Sequence, residues 1–159
     1  MKTQSPQPVC RSDKPVIVID SREQLPYSFT LAGSVVKALP AGDYSVVGYE
    51  TRFAVERKSL EDFISSVVHD RERFETELKK LVAYEHAWVV VEGSLEDILS
   101  GNYRSRINPN SLLGMATALM TDYIPIIFAG NRPCARALVE ALLMRCYKRA
   151  VMKDSENET

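Results

Sequence analysis

The sequence has few cysteines, no excess of either charge and no long apolar run. Its 159 residues include three cysteines, Cys10, Cys134 and Cys146, and no two of them have CxxC spacing. A disulfide framework or a zinc site is therefore not expected. The chain carries 20 basic and 21 acidic residues, and a formal net charge of −1 excludes DNA recognition through a generally basic surface. Contacts with phosphate must come from local groups of Arg and Lys.

No apolar stretch approaches the roughly 18 residues that a membrane-spanning helix needs. The N-terminus also lacks the apolar region of a signal peptide. We therefore expect no membrane partner, and a protein of the cytoplasm, or of the nucleus if its source is eukaryotic. Hydrophobic residues make up 45% of the chain and charged residues 26%, values typical of one globular domain.

Composition divides the chain into a flexible, polar N-terminal arm over residues 1–14, a folded domain over 15–150 and a polar tail over 151–159. Within the domain, hydrophobic periodicity and turn residues predict alternating elements. Strands are predicted over 15–20, 35–39, 43–49, 52–58, 87–92 and 123–128, and helices from residue 59 and over 71–84, 94–99, 111–121 and 133–148. This order predicts an α/β fold with a mixed β-sheet flanked by helices.

Two acids and a lysine form the most informative constellation. Glu56 and Lys58 are two positions apart on a predicted strand, so their side chains point to the same face, opposite to that of Arg57. Asp43 begins the partner strand of a predicted hairpin, directly after Gly42, which permits a sharp turn. The pattern predicts a hard oxygen site for Mg²⁺ or Mn²⁺ with an ammonium beside it, which phosphodiester hydrolysis requires.

Longer motifs support the same interpretation. The segment from Gly42-Asp43 through Glu56-Arg57-Lys58 to Asp62 resembles the GD…ERKxxxD signature of XPF-type structure-specific endonucleases. Residues 18–23, VIDSRE, resemble that family's opening strand and DxRE motif, and residues 89–93, VVVEG, resemble a later core strand. The resemblance covers roughly residues 15–148.

The resemblance implies a restriction-endonuclease-like fold, a DNA substrate and a divalent metal cofactor, Mg²⁺ or Mn²⁺. Asp43 and Glu56 would bind the metal with help from Asp20, and Lys58 would be catalytic. Four residues would line the site, Asp20, Glu23, Arg57 and Asp62, and of these we count Asp20 and Arg57 among the catalytic candidates. Arg22 would contact DNA, as would a basic position near Arg71 or Arg73.

Plainer interpretations of several residues stay open. Asp62 can serve only to cap the helix that begins at Ser59, and Asp43 can be an ordinary turn residue. Arg57 can be a solvated strand residue, and Asp20 can be held in a structural salt bridge. The segment 102–108 interleaves an aromatic residue with two arginines, and its Tyr103, Arg104 and Arg106 can grip DNA or simply form a solvated loop.

Two hypotheses about function follow. The first is a metal-dependent DNA endonuclease, with branched or flap DNA among its candidate substrates. The second is a catalytically silent nuclease-like module that binds DNA or scaffolds a partner, although such a module would be expected to lose the acids or the lysine. Larger family members carry helicase or helix-hairpin-helix domains, for which this chain has no room, so we expect a second copy or a partner subunit to extend the DNA surface.

A wide apolar stripe on the closing helix favours a homodimer. The stripe comprises Ala135, Leu138, Val139, Leu142, Leu143 and Cys146, and residues Leu112, Met115 and Leu119 form a second one. Such a stripe indicates either a self-complementary interface or deep burial in one protomer. The resemblance favours the interface.

Overall fold

A computed structural model describes residues 14–157, and over these residues the predicted α/β fold is confirmed. Six strands and five helices alternate along this part of the chain. They are β1 (Val16–Asp20), β2 (Gly33–Lys37), β3 (Tyr44–Val46), β4 (Phe53–Ser59), α1 (Leu60–Val68), α2 (Arg71–Val82), β5 (His86–Glu92), α3 (Leu95–Ser100), α4 (Pro109–Asp122), β6 (Ile126–Phe128) and α5 (Arg132–Glu156).

The strands form one mixed sheet in the order β2-β1-β3-β4-β5-β6. Strand β3 runs antiparallel to both of its neighbours, β1 and β4, whereas the pairs β1–β2, β4–β5 and β5–β6 are parallel. The reversal at β3 brings the start of that strand beside the carboxyl-terminal ends of β1 and β4. Residues from three consecutive stretches of sequence therefore meet at one edge of the sheet.

Helices cover both faces of the sheet. The first face packs against α1, α2, α3 and α4 around a core that includes Ala54, Phe63, Leu78, Val89 and Leu112. The second face packs against α5 around a core that includes Ile17, Tyr44, Val55, Val90 and Val139. Alternate residues of β4 thus enter different cores, as the period of a strand requires.

Strand β2 begins and ends two residues earlier than predicted. The prediction was 35–39, and the strand spans Gly33–Lys37. The amide of Leu39 donates instead to Oδ1 of Asp20 over 2.8 Å, so a side chain rather than a neighbouring strand satisfies it. The chain leaves the sheet at that point because the Leu39 amide is already hydrogen-bonded to the Asp20 side chain and cannot pair with a strand.

The closing helix is longer than predicted, and it takes in most of the segment predicted as a polar tail. Helix α5 continues to Glu156 rather than ending near residue 148. Ala150 is buried, and Asp154 accepts a hydrogen bond from the Tyr49 hydroxyl and lies 3.5 Å from the Arg52 guanidinium. These contacts anchor the last turns to the β3–β4 hairpin, which a polar composition does not reveal. The predicted N-terminal arm lies, apart from Lys14, outside the described residues.

The apolar stripe of α5 is used within the protomer. Ala135, Val139, Leu143 and Cys146 are buried, and Leu138 and Leu142 pack against the same core. On α4, Leu112 and Leu119 are buried and Met115 packs against the first core. The full width of the α5 stripe packs against one face of the sheet, so its width does not support a dimer. Among the described residues, no helix is long and apolar enough to cross a membrane.

Candidate active site

Asp43 is fixed between two strands by its backbone. Its carbonyl accepts from the Asp20 amide over 2.8 Å, and its own amide donates to the Val55 carbonyl over 2.8 Å. Gly42 precedes it with φ of +76°, and a Cβ there would lie 3.1 Å from the Ala54 Cβ and 3.2 Å from the Val55 carbonyl oxygen. Only glycine fits this turn without strain, and the turn aims Asp43 at β4.

Glu56 and Lys58 project from the same face of β4, as the strand period predicts. The Lys58 ammonium lies 3.7 Å from the Glu56 carboxylate and 4.9 Å from the centroid of the Phe74 ring on α2. Both side chains are only 17% exposed. The aromatic face of Phe74 holds the ammonium in place through a cation–π contact. The predicted acid-and-lysine group is therefore assembled.

The surroundings of the Asp43 and Glu56 carboxyl groups disfavour the ionised form of both. Burial, followed by the charge of Asp43, raises the pKa of Glu56 to about 8. Burial likewise raises the pKa of Asp43 to about 6, although its Oδ2 accepts a 2.7 Å hydrogen bond from the Arg57 amide. Lys58 offsets only part of this cost. With both groups ionised, the pair would carry more negative charge than its surroundings neutralise, a condition common at functional sites.

These side chains open onto a cleft of about 460 Å³ between the sheet edge and helices α1 and α2. Acidic and basic side chains alternate around its wall. The lining residues are Asp20, Arg22, Pro40, Ala41, Gly42, Asp43, Glu56, Arg57, Lys58, Asp62, Ser65, Ser66, Asp70, Arg73, Phe74, Glu77 and Lys80. The six motif residues thus all border one cavity: Gly42, Asp43, Glu56, Arg57, Lys58 and Asp62.

Asp20 lines the cleft, but its carboxylate is already engaged. Oδ2 accepts from Nε of Arg22 over 2.9 Å, and Oδ1 accepts from the Leu39 amide over 2.8 Å. Burial would raise the pKa of Asp20, yet the hydrogen bonds from Arg22 and Leu39 hold it below its usual value. Within residues 14–157 no group of three or more His, Cys, Asp or Glu is arranged to hold a metal ion. Asp20 forms the structural salt bridge that was its alternative, and its part in a metal site stays a prediction.

Arg57 has a different place from either interpretation of its sequence position. Its guanidinium donates to Glu23 through Nε over 2.8 Å and through NH2 over 3.0 Å, and it donates to Glu92 through NH1. The side chain is only 12% exposed, so it is not a solvated strand residue. Its side chain lies on the face opposite to that of Glu56 and Lys58, although the residue also borders the cleft, and its catalytic contact with substrate stays a prediction.

The Asp62 side chain lines the cleft and does not itself cap α1. Its backbone amide donates to the Ser59 hydroxyl over 3.1 Å, which caps α1. Its side chain is not part of a reciprocal capping box, unlike that of Asp97, whose carboxylate accepts from the Ser94 amide. The Asp62 carboxylate instead lies at the cleft wall.

The structure separates the two arginines between which the sequence left the register open. Arg73 lines the main cleft and Arg71 does not, although both border a second depression, and Arg71 forms an ion pair of 2.9 Å with Glu75. Arg22, with its side chain 72% exposed, lies at the cleft mouth beside Asp20. Arg22 and Arg73 are therefore the better placed of the predicted DNA contacts.

The basic loop lies apart from the cleft. Arg104 and Arg106 are exposed, but neither lines the cavity. Tyr103 packs against the first core and donates its hydroxyl hydrogen to the Ile107 carbonyl over 2.9 Å, so its ring anchors the loop. A stacking contact between Tyr103 and a base would require this anchor to open.

Two residues of α2 that the sequence prediction omitted, Glu77 and Lys80, also reach the site, beside the predicted Arg73. The three follow one another at helical spacing, next to the buried stripe of Phe74, Leu78 and Leu81. Glu77 contributes to the raised pKa of Glu56, after the effects of burial and of Asp43. A polar stripe on the helix that follows the catalytic motif was the available signal.

Comparison with known proteins agrees with the fold and the motifs. The sequence model of the ERCC4 domain matches residues 19–142, more than half of the chain. Among solved structures, the chain is similar to XPF from Aeropyrum pernix, with 28% sequence identity and a TM-score of 0.64. That match covers 84% of this chain and 61% of the other, so this chain spans less than two thirds of its relative's length. No curated protein sequence matches the chain.

Proposed function

The chain belongs to the ERCC4 domain family, and from this premise we propose that it is a metal-dependent DNA endonuclease that hydrolyses phosphodiester bonds at Asp43, Glu56 and Lys58. The observation that carries the proposal is the pair of half-buried carboxyl groups with raised pKa values, in one cleft with a lysine. Burial of two carboxyl groups beside each other destabilises the fold, and a domain that serves only as a scaffold does not need them.

The residues present fit a divalent cation. Asp43 and Glu56 offer carboxylate oxygens, and their raised pKa values indicate a shortage of positive charge that a cation would relieve. Mg²⁺ characteristically uses one or two carboxylates and completes its shell with water and substrate phosphate, so the pair of Asp43 and Glu56 suffices for it although, among the described residues, no group of three is arranged to hold a metal ion. When bound, such a cation polarises the scissile phosphate and lowers the pKa of water.

The chain's own groups have distinct parts in the proposed reaction. Asp43 and Glu56 would hold the cation, and the Arg57 amide keeps the Asp43 carboxylate oriented through its 2.7 Å hydrogen bond. Lys58, held against Phe74, would stabilise the charge that develops on the phosphoryl oxygens. Asp62 lines the wall of the same cleft.

DNA is the proposed partner, and the cleft provides local rather than global positive charge. Arg22 lies at the mouth, and Arg73 and Lys80 border the opposite wall. These three cations suit contacts with the phosphate backbone on either side of the scissile bond. Arg104 and Arg106 would contact DNA only if the duplex extends beyond the cleft. A DNA substrate also favours the cytoplasm or the nucleus as the place of action.

A homodimer, or a complex with a partner subunit, remains part of the proposal. Its support is family membership, because the apolar stripe of α5 is consumed by the protomer core. Light scattering at micromolar concentration tests it, with and without DNA and Mg²⁺. We expect the mass of two chains for a homodimer, and a mass near one chain that DNA and Mg²⁺ leave unchanged would rule the homodimer out.

A cleavage panel tests the proposed function. Labelled duplex, single-stranded, flap and fork DNA are each incubated with the protein in Mg²⁺, in Mn²⁺ and in EDTA. We expect cleavage of at least one DNA with metal and none with EDTA, and branched DNA to be cut faster than plain duplex. Cleavage that persists undiminished in EDTA would contradict the metal mechanism. DNA binding without cleavage under any condition would favour a silent binding module.

A further inference from the structure

The second face of β4 carries a closed network of charges that the proposed chemistry does not use. The Arg57 guanidinium is clasped on two sides, by the carboxylate of Glu23 and by that of Glu92 at the end of β5. The side chains of Glu23 and Glu92 are only 5% and 9% exposed. A guanidinium has five N–H donors, and two carboxylates occupy at least three of them here. A DNA phosphate would have to displace one of these partners.

Arg132, the first residue of α5, completes the network. Its NH1 lies 3.4 Å from Oε1 of Glu92, and its NH2 donates to the carbonyls of Leu25 and Pro26 over 2.8 Å and 3.2 Å. The guanidinium also lies 4.6 Å from the centroid of the Tyr27 ring. Two carboxylates and two guanidinium groups therefore join the segment after β1, strands β4 and β5, and the start of α5.

One backbone hydrogen bond joins the network to Asp43, on which the charges of Glu23 and Arg57 also act. The Arg57 amide donates to Oδ2 of Asp43 over 2.7 Å, and Arg57 stands in the chain between Glu56 and Lys58. A shift of Arg57 along or across the sheet would therefore displace three groups of the centre together. A displacement of 1 Å at such a centre can cost about 10²-fold in rate.

We propose that Glu92 and Arg132 are positioning residues of the nuclease centre, which hold Arg57 so that its backbone orients Asp43, and that the Arg57 guanidinium does not contact DNA. This inference rests on the proposed function for its effect on cleavage. The structural part of the inference is that the start of α5 controls the hydrogen bond between the Arg57 amide and Asp43. That part does not depend on the proposed function. The two parts can be measured separately.

The kinetic test compares Glu92→Gln and Arg132→Gln with a matched control, Arg136→Gln. Arg136 lies on the same helix and pairs with buried Glu140, but that pair has no connection to β4. We expect the first two variants to lower kcat for DNA cleavage by about tenfold or more, with KM changed by less than about twofold. Arg136→Gln should leave kcat unchanged even if it lowers the melting temperature to a similar extent.

Two kinetic results would overturn the proposal. If both variants keep the kcat of the wild type, the network does not position the centre. If they raise KM for DNA while kcat is unchanged, the network contributes to substrate binding instead.

A spectroscopic test needs neither metal nor DNA. Hydrogen exchange of the Arg57 amide, followed by NMR in EDTA, reports the Asp43 hydrogen bond directly. Glu92→Gln and Arg132→Gln should accelerate this exchange by about tenfold or more relative to the Val89 amide, whose partner is the Pro125 carbonyl, and Arg136→Gln should not. Unchanged exchange would overturn the proposal. If exchange changes but the wild type cuts no DNA, the positioning stands and the nuclease function fails.

Discussion

The two faces of β4 handle charge in opposite ways. On the α5 side, Arg57 is matched by Glu23 and Glu92, and the hydrogen bond from Arg57 holds the pKa of Glu23 below its usual value despite burial. On the cleft side, burial, with the charge of Glu23, raises the pKa of Asp43 to about 6, and burial, followed by the charge of Asp43, raises that of Glu56 to about 8. The first face is a finished structural network, whereas the second keeps an imbalance that a cation can complete. The difference teaches that adjacent positions of one motif, Glu56 and Arg57, can serve chemistry and scaffolding respectively.

The sharpest contrast is expected for Lys58. Lys58→Ala should lower the rate of DNA cleavage by about 10²–10³-fold, because removal of one group that stabilises transition-state charge typically costs that much. The free energy of unfolding should change little, since the ammonium contacts only Glu56 and the Phe74 ring in the cleft. Lys79→Ala, an exposed lysine on α2, is the control. Equal rates for the two variants would remove Lys58 from the centre.

The next largest effect is expected at Gly42, where a side chain would strain the backbone turn that precedes Asp43. Gly42→Ala should destabilise the fold by about 1–2 kcal/mol from its positive φ alone, with an added cost from contact with Ala54 and Val55. Gly48→Ala is the matched control, because its φ is +86° but nothing lies within 4 Å of the added Cβ. Urea denaturation measures both variants. If Gly48→Ala is the more destabilising, close approach does not explain the glycine at position 42.

The two faces also predict opposite responses to pH. The pKa of Glu56 is raised in the folded state, so the folded protein binds this proton more tightly than the unfolded chain. The free energy of unfolding in EDTA should therefore fall as pH rises from about 4.5 towards about 8. The charged groups that act on Glu56 in the folded protein are Asp43, Lys58, Glu77 and Glu23. Glu23, whose pKa is lowered, contributes stability that is present above about 4.5 and lost as pH falls through its lower folded value.

Urea denaturation in EDTA at a series of pH values checks this sign. The wild type should lose stability between pH 5 and pH 8, and Glu56→Gln should flatten that part of the curve. In Mn²⁺ without EDTA the curve should be flatter as well, because a cation favours the charged carboxylates. A wild type that gains stability over this range would show that the cleft carboxyl groups are not the dominant ionisable groups there.

The smallest effect is expected at the cleft wall. Arg73→Ala should weaken DNA binding several-fold and reduce the slope of log K against log salt by about one, the signature of one lost phosphate contact. Arg71→Ala should do less, because that guanidinium is paired with Glu75 over 2.9 Å. Fluorescence anisotropy over a range of salt concentrations measures both. A larger effect at Arg71 would place the DNA on the other side of α2.

Much of the fold followed from hydrophobic periodicity, because both faces of the sheet are covered and each strand or helix shows its buried positions plainly. Element ends were harder to predict where tertiary contacts decide them. Leu39 leaves the sheet because Asp20 accepts its amide hydrogen, and α5 extends to Glu156 because Asp154 reaches Tyr49 and Arg52. No local pattern encodes contacts between residues so far apart in the chain.

The candidate site shows the same division. The strand period placed Glu56 and Lys58 together, and the turn at Gly42 placed Asp43 opposite them. Of the partners of Asp20 only Arg22 is near in sequence, and Leu39, like Glu23 and Glu92 beside Arg57, comes from a separate segment that local reasoning does not reach. Glu77 and Lys80 were omitted because a polar helix face usually indicates only solvent.

The central claim is that the cleft face of β4 is a nuclease centre whose acid is costly to the fold and essential to the reaction. One comparison of Glu56→Gln with the wild type tests it most directly, by DNA cleavage in Mn²⁺ and by urea denaturation at pH 8. Glu96→Gln, an exposed acid on α3, is the control. We predict cleavage reduced by at least about 10²-fold with unfolding free energy equal to or above that of the wild type. A natively folded Glu56→Gln protein that cuts DNA at the wild-type rate would contradict the account.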